Sequence, residues 1–170
     1  MDEKKKEQLV LALAIGLLPP LWAVSAPHLG IKTGAVALIC AGLYSTNGNR
    51  IEDGVKITAG FWLGNLWAVL SLIIMEVVNW NETLELFVTL AVLGALAVVI
   101  ASIFEHFVFL PSWLCGWAIG LSLMSFKEIQ AEKTLPIQIG IAMAVGVWYV
   151  GCGVDYFTKI LLRRKLKRGN

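Results

Sequence analysis

Long uncharged apolar stretches separated by short polar patches dominate this chain. Leu9–Ala26, Ile57–Met75, Leu86–Phe104, Phe107–Phe126 and Thr134–Val154 each hold 18 to 21 residues without a charge. A helix needs about 17–25 such residues to cross a hydrocarbon core about 30 Å thick. Apolarity here is continuous rather than alternating, which predicts membrane helices and excludes a β-barrel reading. A sixth apolar segment, Thr33–Tyr44, is about a dozen residues long. It is short for a crossing, but Lys32 can extend outward at one end and Tyr44 can anchor at the interface at the other.

The polar patches fit as connections. His28 to Lys32 is a tight turn after Ala26-Pro27, and Asn47 to Lys56 carries the turn pair Asn47-Gly48. Asn79 to Glu85, Glu105-His106 and Lys127 to Lys133 separate the later segments, and Pro136 stands near the start of the last one. Paired prolines at Pro19-Pro20 remove two backbone donors, so the first helix is expected to break or kink there. Pro111 is expected to interrupt the start of the fifth segment in the same way.

Composition agrees with the pattern. Of the 170 residues, 58% are hydrophobic and 15% charged, and the mean hydropathy is +0.75; soluble domains carry about 25% charged residues. Charge placement orients the chain. Lys4–Lys6 open it, and Arg163, Arg164, Lys165, Lys167 and Arg168 close it. Basic flanks favour the cytoplasmic side, so both tails on that side require an even number of crossings. Six crossings put eleven basic residues inside and three (Lys32, Lys127 and Lys133) outside. The reading is an all-α polytopic membrane protein with six transmembrane helices: a basic cytoplasmic tail at 1–8, a helical domain at 9–160 and a basic cytoplasmic tail at 161–170. The first segment is read as a retained helix rather than a cleaved signal peptide, because it is long and interrupted by prolines.

The six segments admit a 3+3 inverted repeat of the kind found in transporters. Ile39-Cys40-Ala41-Gly42 in the second segment is matched by Leu114-Cys115-Gly116-Trp117 in the fifth. Gly64-Asn65-Leu66-Trp67 in the third is matched by Gly146-Val147-Trp148-Tyr149 in the sixth. Gly60 and Gly64, and again Gly116 and Gly120, form GxxxG faces that suit close helix packing, within the chain or between copies of it.

The chemistry is sparse. Asn65 is the most central polar residue, and a buried amide in lipid requires a partner, either another helix or a solute. Asp155, Glu76, His28 and His106 fall near segment ends and read as interfacial. Cys40, Cys115 and Cys152 have no paired spacing and read as packing residues. Nucleotide-binding, zinc-protease and serine-hydrolase motifs are absent, so neither an enzyme nor a cofactor or metal is expected. The terminal basic run suits a topology signal or anionic lipid rather than nucleic acid. The residues assigned to a solute pathway are Asn65, Pro19, Pro20, Trp67, Trp148 and Asn47.

Three regions carry a resemblance: PLWAVSAPHLGIKTGAVALICAGLYSTNG, the Gly60–Trp67 helix and the Pro111–Gly120 region. Together they are similar to a family of small bacterial inner-membrane proteins of unknown function, the YcdZ type, domain of unknown function 1097. In place of that family's Cys-Pro and paired glycines after the second helix, this chain has STNGNRIEDG. The resemblance implies an integral protein of the bacterial cytoplasmic membrane and brings no activity with it. GLYSTNG is also similar, over seven residues, to a stretch of urea transporters, which hints at small neutral solutes. The functional expectation is a small-solute channel or permease, in the lipid bilayer and as a homo-oligomer, acting on a small polar or neutral solute. The alternative is a non-transporting scaffold that packs through its GxxxG faces.

Overall fold

A computed structural model describes residues 3–78 and 80–166. Eight α-helices follow one another: α1 (Glu3–Ser25), α2 (Val36–Thr46), α3 (Gly54–Val78), α4 (Glu82–Ile103), α5 (Leu110–Leu123), α6 (Phe126–Ala131), α7 (Leu135–Val145) and α8 (Gly153–Leu166). A π-helical segment, Gly146–Cys152, joins α7 to α8. Short 3₁₀ turns stand at Ala26–Leu29 and Ile51–Asp53. The architecture is all-α, with no strand among the described residues.

Local chemistry sets the boundaries. Gly30 ends the first 3₁₀ turn in the left-handed region at φ 77°, which a residue without a Cβ adopts at little cost. After α2 the chain reverses through Gly48 at φ 78° and Asn49 at φ 55°. The Asn81 side chain accepts from the Thr83 N–H and starts α4. Ser125 and Glu128 form a reciprocal capping box at the start of α6.

Four stretches are long and apolar enough to cross a membrane: Gln8–Leu29, Ile51–Val78, Glu82–Ile103 and Leu135–Leu162. The other two apolar helices are shorter, at 11 residues for α2 and 14 for α5. At a rise of 1.5 Å per residue these helices are about 16 and 21 Å long. The uncharged stretch Phe107–Phe126 is thus helical over fewer residues than its apolarity predicts. Phe109 and Met124 are extended at its two ends, and the capping box of α6 takes over directly beyond Met124.

The helix break allowed for at Pro19-Pro20 and the interruption expected at Pro111 are corrected. Helix α1 runs through both Pro19 and Pro20. Each proline lacks a donor, so the carbonyls of Ile15 and Gly16 lose their helical partners while the helix continues. Pro111 lies in the first turn of α5, where its missing N–H would have had no helical acceptor, so it starts the helix rather than interrupting it.

Close backbone packing holds the bundle. Helix α3 lies along α5, α2 along the π segment, α1 along α8, and α4 against α3. A Cβ placed on Gly64 would strike the Trp113 carbonyl and lie 2.5 Å from the Trp117 nitrogen; one on Gly116 would strike the Phe61 carbonyl. On the other side of the bundle, a Cβ on Gly146 would lie 2.5 Å from the Ala37 carbonyl oxygen. Such approaches bring dispersion contacts that lipid cannot supply, which is what drives helix association in a bilayer. Around them Tyr44, Phe61, Ile139, Met143 and Val147 are fully buried. Large apolar side chains on α1 and α4, such as Leu13, Leu17, Phe87 and Val99, face outward.

Candidate functional site

A cavity of about 620 Å³ opens between α1, α2 and the π segment with α8. Its walls are mostly apolar, with Leu11, Ile15, Pro19, Leu38, Ala41 and Val150 among them. Gln8, Ser45, Asn49, Asp155 and Thr158 supply polar groups toward the end where the chain's two terminal helices meet. The volume falls within the range of about 300–1,000 Å³ typical of small-molecule sites, and so does the mix of apolar wall and few polar groups.

Helical periodicity on α2 explains the wall. Leu38, Gly42 and Ser45 recur at three- and four-residue spacing, and Asn49 continues the stripe beyond the helix end. Gly42 leaves space: a Cβ there would meet nothing within 4 Å. On the opposite wall Gly151 is pressed against Tyr44, with a Cβ position 2.7 Å from Cδ1 of that ring. The π segment adds a residue to one turn of the helix at this wall, a device frequent at functional sites.

Two polar features mark the cavity. The Asp155 carboxylate accepts from the Lys159 ammonium at 2.6 Å, so the acid brings no uncompensated charge. Its side chain is 18% exposed, whereas that of Lys159 is 61% exposed. Among the described residues Thr158 Oγ1 is buried without a hydrogen-bond partner, a hydroxyl that a ligand could engage.

The residues assigned to a solute path from sequence are scattered by the fold. Pro19 lines the cavity; Pro20 is exposed outside it. The Asn47 amide instead donates to Asp53 at 2.9 Å and closes the α2–α3 turn. Asn65 is buried between α3 and α7, where its amide donates to the Pro136 carbonyl at 2.8 Å. The Trp67 indole donates to the Leu93 carbonyl of α4, and its ring meets Trp113 edge-on with centroids 5.1 Å apart. The Trp148 indole donates to Thr58 of α3 at 3.0 Å. These four make helix-to-helix and turn contacts. Gly60, Gly64 and Gly116 lie in the α3–α5 contact, and Gly120 faces Ala68. Ser45, Asn49, Asp155 and Thr158 line the cavity but are not among the residues assigned to the path from sequence. For Ser45 and Asn49 the signal was their helical spacing from Leu38 and Gly42.

Both tails carry basic residues whose placement bears on orientation. The side chains of Lys4 and Lys6, and those of the run from Arg163 onward, lie outside the described residues.

The model of a protein family of unknown function, DUF1097, matches residues 12–159. The chain belongs to this family. The family has no assigned function, and this chain's long apolar helices are those of a membrane protein. No curated protein and no solved structure matches the chain.

Proposed function

We propose that the chain is a small-solute permease of the bacterial cytoplasmic membrane, with six crossings and both termini on the cytoplasmic side. The cavity carries this reading. Its apolar walls suit the body of a small solute, and its hydroxyl and amide groups suit a neutral polar end. The Asp155–Lys159 pair is matched in charge, which favours a neutral solute over an ion.

The way the helices pair supports the reading of six crossings. Each half of the chain runs long, short, long, with α1–α2–α3 followed by α4–α5 and the α7–α8 helix. Exchanging the halves maps the contact of α1 with α8 onto that of α4 with α3. The same exchange maps α2 against the π segment onto α5 against α3. In both halves glycines make the close approach, Gly60 and Gly64 against α5 and Gly146 against α2. Three helices per half make the repeat inverted in the membrane, as in many transporters, and α2 and α5 complete their crossings with the flanking turns. In this reading the chain moves solute and performs no chemistry. A scaffold role has less support, because Gly60, Gly64 and Gly116 are already packed within the chain.

The test is flux into proteoliposomes for a panel of small amides, short-chain alcohols and weak acids. Gly42→Leu puts a branched side chain into the cavity from a position where a Cβ meets nothing within 4 Å. Uptake of at least one solute above that of empty liposomes is expected, with a fall of tenfold or more in Gly42→Leu. Flux that ignores this substitution, or none for any solute, overturns the reading.

A further inference from the structure

The correspondence between the halves holds residue by residue over the first two helices of each. Shifting the first half by 75 residues brings Cys40 onto Cys115 and Ala37 onto Ser112. It also brings Ala14 onto Thr89 and Ala26 onto Ala101, all four of them buried. The shift therefore keeps the inward faces of α1 and α2 on the inward faces of α4 and α5. Under the same shift the open cavity has a counterpart between α3, α4 and α5. There, Gly42 becomes Trp117 and Pro19 becomes Gly94.

This counterpart is filled. Trp117 is 6% exposed and its indole donates to Ser71 Oγ of α3 at 2.9 Å. The space before Gly94 is taken by the same ring: a Cβ on Gly94 would lie 3.8 Å from Cζ3 of Trp117. On α4, two helical turns before Leu93, Glu85 is 8% exposed and its Oε1 is buried without a hydrogen-bond partner among the described residues. A buried carboxyl oxygen without a partner is costly, and it points to a donor that is absent from this state.

We propose that the space between α3, α4 and α5 is a second solute site, the counterpart of the open cavity, and that the Trp117 indole occupies it and holds it shut. Glu85 and Thr89 provide its polar end, which selects a small neutral solute bearing a hydrogen-bond donor, such as a primary amide or an alcohol. Opening requires the indole to leave Ser71. The two sites then serve opposite sides of the membrane, one open through Gly42 and one closed by Trp117. The inference rests on the permease reading and its inverted repeat.

Thiol labelling tests it without any solute. A cysteine at Gly94, where a Cβ fits, reports access to the closed site. Membranes are treated with a membrane-impermeant maleimide from the side of the α3–α4 connection, and the adduct at position 94 is quantified by mass spectrometry. Gly94→Cys alone is expected to label slowly. Adding Trp117→Gly, the residue of the matched position, should accelerate labelling at least tenfold. Adding Ser71→Ala instead removes the hydrogen bond while keeping the ring, and should accelerate labelling about threefold; this arm decides if the tryptophan variant fails to fold. Unchanged labelling in the folded variants overturns the proposal. Absence of flux in liposomes would sink the permease reading while leaving the labelling result standing, so the two failures are distinguishable.

Discussion

The Asn65 amide, midway along α3, donates to the Pro136 carbonyl in the first turn of α7 at 2.8 Å, while its own Oδ1 is buried without a partner. The bond joins the two halves of the chain at the middle of the bundle. Gly120 stands opposite, with its Cβ position 3.6 Å from that Oδ1. Asn65→Leu removes one buried bond to a carbonyl that α7 still pairs within the helix, and it also removes an unpaired oxygen. The net loss is expected to be about 1 kcal/mol. Unfolding in detergent measures it, and flux per folded molecule should be unchanged. A tenfold loss of flux at full stability would put Asn65 back on the solute path.

Glycine substitutions should split by position. Gly64→Ala drives a methyl into the Trp113 carbonyl, and α3 can yield only by moving off α5. A loss of about 1–3 kcal/mol is expected. Gly16→Ala meets nothing within 4 Å and lies inside α1, so it should stabilise by roughly 0.5–1 kcal/mol. Thermal scans of the purified variants compare them, and equal effects would contradict the packing described.

Thr58 links α3 to the π segment. Its hydroxyl donates to the Gly54 carbonyl at 2.8 Å and accepts the Trp148 indole at 3.0 Å. Thr58→Val keeps the volume and removes the acceptor, at an expected cost of about 1 kcal/mol. Because Trp148 is 40% exposed, its released indole should also shift the fluorescence maximum to the red. An unshifted spectrum would argue that the bond does not position the ring.

A pH dependence is expected at the other end of the bundle. The Lys32 ammonium donates to Glu132 at 3.0 Å, and Gln138 donates to the same carboxylate at 2.6 Å. The bond from Lys32, with that from Gln138, lowers the Glu132 pKa below its ordinary 4.5. A lowered pKa in the folded state favours the ionised form, so the contribution is complete above pH 4.5 and is lost as pH falls through the lowered value. Both side chains reach solvent, so the effect is small and screened by salt. Stability of Glu132→Gln should converge on that of the parent at low pH, and a gap that persists at pH 3 would contradict this account.

How much was legible in the residues differs by level. The apolar stretches announced the four helices long enough to cross a membrane, because hydropathy summed over some twenty residues is a strong signal that tertiary contacts do not override. Helix ends were less legible. The stretch Phe107–Phe126 ends early because local capping at Ser125 outweighs apolarity. Prolines at positions 19 and 20 suggested a break, yet helix packing carries α1 through them. The site was the least legible, because it depends on which face of α2 meets α8. Asn47 and Asn49 are two residues apart on one turn, but one closes the turn against Asp53 and the other lines the cavity.

By itself the sequence determined that this is a helical membrane protein of the DUF1097 family. Hydropathy needs no partner to be read, and the family match spans residues 12–159. The tertiary structure alone decided that Gly42 opens a cavity while Trp117 fills its counterpart. Whether a small residue leaves a void or admits a backbone depends on what packs across from it, and helices distant in sequence supply that neighbour.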